Sequence, residues 1–354
     1  MDSNEKENVS MAEVIGTRFH KELALRFVKD NDLPISLIEE KTFDYFLNLY
    51  DATHSSMKMW VYLWREIDER FGGDANKYLE NFYNVRENIV QHLSNSDSNK
   101  KLNAADMSQF KISCDIPSKN IFNCENIGKH FVSIDLKKAN FQAVKFFDAS
   151  VFMGHDTYED FIGEFTDLQS IKSSKHVRQV IFGQLNPSRH ITIEKYLTDK
   201  IRQLLLNDSI LSEGDKIVSL HNDELIIELA SEPTEETENK WMSFSDTVAS
   251  VLRLLVKVSV FKLNAYRLVS KQTNNPRDAF FELVSSNGCK KYKMIPSTFS
   301  AITYKLLNKE ELKEPDLLFF YEGVKCKFFE TFRLENVTKE MLLELLKKKF
   351  EKKK

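Results

Sequence analysis

Glycine and proline are both scarce in this chain, with ten glycines and seven prolines among 354 residues. The phosphate-binding loops of P-loop and dinucleotide-binding proteins need closely spaced glycines, because only glycine lets the backbone approach a phosphate so closely. The sequence contains neither GxxxxGK[ST] nor GxGxxG. Nucleotide binding of those two kinds is therefore excluded.

Cysteine is also rare, and its four occurrences are far apart: Cys114, Cys124, Cys289 and Cys326. No pair has CxxC spacing, and no Cys/His cluster has the spacing of a zinc site. We expect free thiols.

Long apolar runs are absent, since no stretch of 18 or more apolar residues occurs. The first residues, MDSNEKENVS, are polar and differ from a signal or transit peptide. These features predict a cytoplasmic or nuclear protein with no membrane association. A net charge of −3 gives no overall nucleic-acid signature, so any nucleic-acid surface must be local.

The N-terminal region, residues 1–95, is predicted to be helical. Apolar residues recur at helical spacing in Ala12–Val28, Phe43–Tyr50 and Met57–Phe71. Residues 96–109 are predicted to be a linker because the chain around them is polar.

Residues 110–272 have the pattern of an α+β domain. Strands are expected at Phe110–Ile116, His130–Leu136 and Val258–Val269, with helices and one hairpin between them and a glutamate-rich loop at Ser231–Asn239. The order strand, helices, hairpin, helix, strand predicts an antiparallel sheet with helices on one face.

Residues 273–354 are predicted to form a C-terminal α/β region. Strand-like runs occur at Phe280–Val284, Lys291–Ile295 and Leu317–Phe332, and Val337–Lys354 is predicted to be a helix. Its last residues, KKKFEKKK, suit a helix C-terminus and a solvated tail.

The most informative stretch is Lys216–Leu229, in which two apolar runs flank four polar residues: His221, Asn222, Asp223 and Glu224. This pattern predicts a β-hairpin with the acidic pair at or just past its turn. Adjacent carboxylates between buried strands are costly unless a cation or hydrogen bonds compensate them, which suggests a metal site. A simple surface turn is the alternative, because Asn-Asp is common in turns.

A second acidic position, Asp135, lies at the end of the strand predicted at His130–Leu136, where the chain turns into a helix. It could be a helix N-cap. It could also meet Asp223, because residues at the ends of neighbouring antiparallel strands lie close together. Two magnesium ions about 3.5–4 Å apart need such shared oxygen ligands for an in-line phosphoryl displacement.

A third stretch, Ser173–Arg189, combines cations with an aromatic residue. Helical spacing places Lys175, Arg178 and Phe182 on one side. The cations would hold nucleotide phosphates, and the ring would stack on a base. The alternative is a solvated basic face with one buried phenylalanine.

Taken in order, the three stretches resemble motifs A, B and C of right-hand polymerases, whose palm domain carries two-metal nucleotidyl transfer. Family A DNA polymerases have a motif C similar to SLHNDELIIEL, with one residue fewer between the His and the Asp. Reverse transcriptases have a motif A similar to SIDLKKANF and an acidic motif C hairpin. Family A motif B is similar to VRQVIFGQL.

The resemblance implies that Asp135 and Asp223 bind two Mg²⁺ or Mn²⁺ ions, supported by Glu224. The remaining implied positions contact nucleotide: Lys138, Asn140, Lys175, Arg178, Phe182 and Gln184. The partners would be nucleoside triphosphates and a nucleic acid, either primer–template or single strand. A lysine after the apolar helix, Lys257 or Lys262, would protonate the leaving pyrophosphate.

The resemblance covers roughly residues 110–269 and departs from each family. The separation of Asp135 and Asp223 is close to that of reverse transcriptases, but their Leu-Pro-Gln-Gly motif B is absent. Where they exclude the ribose 2′-OH with an aromatic residue, this chain has Asn140. Two alternatives stay open: a palm-type nucleotidyl cyclase or short-oligonucleotide synthase, and a palm-derived scaffold that binds nucleic acid without catalysis.

Overall fold

Helices form the N-terminal part of the molecule, and an antiparallel sheet organises the rest. The computed structural model describes residues 18–112, 114–208 and 210–341. The predicted α+β class is confirmed. None of the helices in those ranges is long and apolar enough to cross a membrane.

The described part of the N-terminal region, from residue 18, contains four helices: α1 (Lys21–Asp30), α2 (Glu40–His54), α3 (Ser56–Phe71) and α4 (Ala75–Asn95). Each buries the apolar face that its spacing predicts. Trp60 of α3 lies in the centre, edge-on to Phe27, Phe43 and Trp64. Residues before 18, including part of the helix predicted at Ala12–Val28, lie outside the described residues.

The segment predicted as a linker contains a helix, α5 (Asp97–Ala104). Leu102 on this helix is buried, and the Ser98 hydroxyl donates a hydrogen bond to the Asp148 carboxylate at 2.6 Å. Most side chains of α5 lie on an exposed face and are polar, so the few buried residues did not reveal the helix in the sequence.

Between α5 and the sheet, Phe110–Ile116 does not form the predicted strand. Met107–Phe110 is a 3₁₀ turn, started by the Asp106 side chain, which accepts from the Ser108 N–H at 2.9 Å. Ile112 and Ile116 pack against the core, but neither is in a strand. The apolar spacing here serves packing alone.

The central region follows the predicted order of strand, helices, hairpin, helix and strand. Its elements are β1 (His130–Leu136), α6 (Ala139–Phe147), α7 (Tyr158–Gly163), α8 (Gln169–Lys172), α9 (Lys175–Gly183), α10 (Pro187–Asn207), β2 (Lys216–Leu220), β3 (Glu224–Glu228), α11 (Glu235–Leu252) and β4 (Val256–Ser270). The glutamate-rich loop is shorter than predicted, because Thr234 caps α11 and places glutamates in its first turn. Negative charge stabilises that end of a helix.

These four strands lie in the order β2-β3-β1-β4, and β1 pairs antiparallel with both neighbours. Together with the helices, this is the split βαβ arrangement, β-α-β-β-α-β. The first strand therefore lies in the middle of the sheet, between the hairpin and β4.

The two faces of β1 differ. Val132, Ile134 and Leu136 belong to the large core formed with the helices. Side chains alternate along a strand, so Ser133 and Asp135 lie on the opposite face, where Phe131 packs in a small separate cluster. Helices cover one face of this part of the sheet, as predicted.

The C-terminal region continues the same sheet. β5 (Pro276–Val284) pairs with β4, β6 (Lys290–Lys293) pairs with β5, and β9 (Phe332–Asn336) pairs with β4. A small hairpin, β7 (Leu318–Tyr321) with β8 (Val324–Lys327), stands apart. The sheet therefore runs across the boundary predicted at residues 272–273.

A short helix, α12 (Ser300–Leu307), connects this region to the N-terminal helices. The Tyr50 hydroxyl of α2 donates to Ser300 at 3.1 Å, and the Tyr45 hydroxyl donates to Asp316 at 2.7 Å. Most of the helix predicted at Val337–Lys354 falls in residues 342–354, outside the described residues.

Candidate active site

Asp135 is the penultimate residue of β1 and lies on the face away from the helices. Its side chain is half-buried, and it has no hydrogen bond or ion pair with any described residue. A carboxylate held by the central strand and left without a partner is available to a ligand.

The hairpin between β2 and β3 places its turn beside this strand end. The backbone N–H of His221 donates to the carbonyl of Glu224 at 2.8 Å, which leaves Asn222 and Asp223 as the two turn residues. The N–H of Leu136 donates to the carbonyl of Asp223, also at 2.8 Å. This bond fixes the turn to the end of β1.

Glu224 and Lys257 flank Asp135 on the neighbouring strands. Each is its direct cross-strand partner, so the three side chains form a row on one face of the sheet. The Ser133 hydroxyl donates to Glu224 Oε1 at 2.5 Å and holds that carboxylate. Lys262, five residues after Lys257, lies on the other face and is not part of the row.

Burial, together with the nearby carboxylates of Asp223 and Glu224, raises the pKa of Asp135 to about 6. Lys257 and Lys175 act in the opposite direction. The structure thus brings together the three acidic residues that the sequence singled out, and their mutual repulsion is only partly offset.

Such carboxylates suit a hard cation, because Mg²⁺ and Mn²⁺ prefer oxygen ligands. No group of three or more His, Cys, Asp or Glu side chains among the described residues is arranged to hold a metal ion. Mg²⁺ commonly binds through one or two carboxylates, with water and substrate phosphate completing its shell. Asp135 and Asp223 fit that mode.

Cations from the helices approach the same region. Lys175 opens α9, acts electrostatically on Asp135 and lies 3.7 Å from the Asp32 carboxylate. Lys138, three residues after Asp135, has a left-handed φ of 52° and forms an ion pair with Glu159. A left-handed lysine is uncommon, and here it starts α6.

Arg178 and Lys138 lie over the ring of Tyr158, at 5.7 and 5.9 Å from its centroid. Burial lowers the pKa of Arg178, and its buried Nε has no hydrogen-bond partner among the described residues. The same is true of the buried Tyr158 hydroxyl. Two cations and two polar atoms without a described partner therefore lie together around the Tyr158 ring.

The other predicted contact residues are placed differently. Phe182 is 1% exposed and packs near Phe152 and His190, so it is a core residue and does not offer a ring to a base. Gln184 is exposed after the end of α9, and Asn140 Oδ1 accepts from the Phe141 N–H at 2.9 Å. The prediction that Phe182 stacks on a base is wrong.

Two further residues belong to this face although the motifs do not include them. Ser133 could have been found from the alternation of β1, which places it on the face of Asp135. Lys291 reaches the face from β6, and it lies close enough to Lys257 for that cation to lower its pKa. No local pattern reveals that approach.

In comparisons with known proteins, neither a protein-family model nor a curated protein matches this chain.

Proposed function

We propose that this protein is a metal-dependent nucleotidyltransferase of polymerase type, which adds nucleotides to a nucleic-acid 3′ end. One observation carries the proposal. Asp135 and Asp223 meet where the central strand of a split βαβ sheet ends beside a hairpin turn, and Asp135 has no protein partner among the described residues.

Asp135 and Asp223 would provide the oxygen ligands for Mg²⁺ or Mn²⁺, with Glu224 as a third carboxylate. When bound, the ions lower the pKa of the attacking hydroxyl and neutralise charge on the leaving pyrophosphate. Glu224 is less free to move than the two aspartates, because it accepts the hydrogen bond from Ser133.

The cations of the helices would hold the triphosphate. Lys175 already acts on Asp135, while Lys138 and Arg178 share the ring of Tyr158. A phosphate oxygen would accept hydrogen bonds from guanidinium and ammonium groups, and it would compete with Glu159 for Lys138. Lys257 lies beside Asp135 in the row and is the better placed of the two lysines to protonate the leaving group.

The test is incorporation of nucleotides by the full-length chain, given a nucleotide mixture, a primed template, and Mg²⁺ or Mn²⁺. Asp135→Ala and Asp223→Ala should each abolish incorporation and also abolish a metal-dependent rise in Tm. Asp246→Ala, at an exposed position on α11, is the matched control and should retain both.

Other outcomes select other functions. A cyclic or short product formed from triphosphates alone would identify a cyclase or short-oligonucleotide synthase. Absence of product on primed, unprimed and template-free substrates, with no metal-dependent shift in Tm, would favour a non-catalytic scaffold. Incorporation that survives both aspartate substitutions would contradict the site.

A further inference from the structure

A cavity of about 590 Å³ lies over the carboxylate row and reaches β4 and β6. Asp135 and Glu224 line it, and so do Lys291 and Lys293 of β6. Met242 of α11 contributes apolar surface. The volume falls within the ordinary range for small-molecule sites, about 300–1,000 Å³.

One wall of the cavity is an open strand edge. β5 pairs with β4 only from Lys262 onward, so residues 256–261 of β4 have a ladder on the β1 side alone. Backbone groups alternate in direction along an antiparallel strand. The N–H of Leu263 bonds Lys129, which implies that Val258 and Val260, both lining the cavity, direct their N–H and C=O groups towards it.

Three lysines also line the cavity: Lys257 of β4, and Lys291 and Lys293 of β6. Lys257 lies close enough to Lys291 to lower its pKa, and none of the three forms an ion pair with a described residue. Lys290, next along β6, is different: its ammonium lies 3.0 Å from Glu282. Amines that lie close together in this way are suited to an anion placed between them.

We infer that this cavity binds a nucleotide, with the base hydrogen-bonded to the β4 edge at Val258 and Val260 and the phosphates held by Lys257, Lys291 and Lys293. The edge offers alternating donors and acceptors, which match the edge of a base. The choice of a nucleotide as ligand rests on the proposed function, because the cavity shares Asp135 and Glu224 with the transfer site. This nucleotide is distinct from the triphosphate held by the helix cations: it is either a second free nucleoside triphosphate or the last residue of a strand.

Cys289 gives a way to test this without catalysis. It is exposed and lines the cavity. Alkylation of Cys289 by iodoacetamide would be followed by peptide mass spectrometry in EDTA, with increasing concentrations of ATP, of inorganic triphosphate, or of an oligonucleotide with a 3′-OH. We expect ATP or the oligonucleotide to protect Cys289, and whichever protects at lower concentration identifies the source of the nucleotide.

Two matched variants sharpen the test. Lys291→Gln should raise the half-protecting concentration about tenfold, the effect of one charge-assisted contact, whereas Lys290→Gln should leave it within about threefold. Inorganic triphosphate should protect at least about tenfold more weakly than ATP, because it has no base for the edge. Comparing protected with unprotected protein of the same variant corrects for any change in the reactivity of Cys289.

Three results would overturn the inference: no protection by ATP or by the oligonucleotide at millimolar concentration, equal effects of the two lysine substitutions, or equal protection by triphosphate and ATP. Because EDTA removes the metal, these results do not depend on transfer activity. Protection without incorporation would support nucleotide binding in the cavity and contradict the proposed function. Incorporation without protection would support the proposed function and contradict nucleotide binding in the cavity.

Discussion

Among the described residues, two cavities of similar size each contain an aspartate whose pKa is raised to about 6. One, about 660 Å³, lies among α1, α3 and the start of α8 and includes Asp30. The other, about 590 Å³, lies beside β4 and includes Asp135. Volume and pKa are nearly the same, so neither property separates them.

The partners of the two aspartates do separate them. Asp30 accepts hydrogen bonds from Arg26 at 2.8 Å and from the Ser174 hydroxyl at 3.0 Å, and burial raises its pKa in spite of both. Other charges in that cavity are also paired: Glu66 accepts from the N–H of Gln169 at 2.6 Å. The charged groups of this cavity are therefore bound to partners within the protein and stabilise the fold.

Around Asp135 the charges are not paired in that way. Its neighbours include two carboxylates that help to raise its pKa, and its own oxygens have no hydrogen bond with a described residue. A raised pKa therefore marks a candidate site only where the arrangement leaves charge to be neutralised by something else.

The largest expected contrast is in activity. Asp135→Asn should lower nucleotide incorporation by at least about 10³-fold, since metal-borne stabilisation of developing charge is worth several kcal/mol. Asp30→Asn should leave the rate per folded molecule within about threefold, because Asp30 is not among the residues proposed to contact metal or substrate. Initial rates on a primed template measure both, and similar losses in the two variants would remove the distinction between the cavities.

The next contrast is in stability. Arg26→Met removes the cation beside buried Asp30, so it should lower the free energy of unfolding by about 3 kcal/mol at pH 7. The loss should be smaller at pH 5, where Asp30 takes up a proton. Arg70→Met, in an exposed pair with Asp167, should cost less than about 1 kcal/mol. Urea unfolding at both pH values provides the measurement, and equal losses for the two arginines would contradict the pairing argument.

The smallest contrast has the opposite sign. Asp135 has a folded-state pKa of about 6, above its ordinary value of 3.8, so its protonation stabilises the fold below about pH 4, and this contribution is lost as pH rises through 6. Asparagine cannot ionise. The free energy of unfolding of Asp135→Asn should therefore be about 1–2 kcal/mol higher than that of wild type at pH 7.5 and equal to it at pH 4. Asp246→Asn is the control, and a less stable Asp135→Asn protein at pH 7.5 would refute the prediction.

Much of the candidate site was predictable because its geometry is local in sequence. A two-residue turn joins β2 to β3, so the apolar runs on either side of it fix the hairpin and place Asp223 at its tip. The alternating strand before Asp135 fixes which face that residue occupies. Only the meeting of the two segments needed the tertiary structure.

The wrong and missing predictions concern residues for which spacing in the sequence does not indicate which way a side chain faces. Helical periodicity puts Arg178 and Phe182 near each other on α9, but it does not say whether their face meets solvent or core, and Phe182 is in the core. Lys291 was not predicted, because β6 reaches Lys257 only through the pairing of β5 with β4. Such contacts between distant segments leave no periodic trace.

The length of β4 has one consequence of its own. It is a single strand of 15 residues, the first half paired with β1 and the second with β5 and β9. Successive side chains of a strand lie on opposite faces of the sheet. The number of residues between Lys257 and the segment paired with β5 therefore decides whether Lys257 lies on the same face as Asp135. Loss of one residue at this junction would turn Lys257 towards the helices while leaving β5 and β9 in place. The number of residues in β4 at this junction is therefore under tighter constraint than the identity of most residues in the strand.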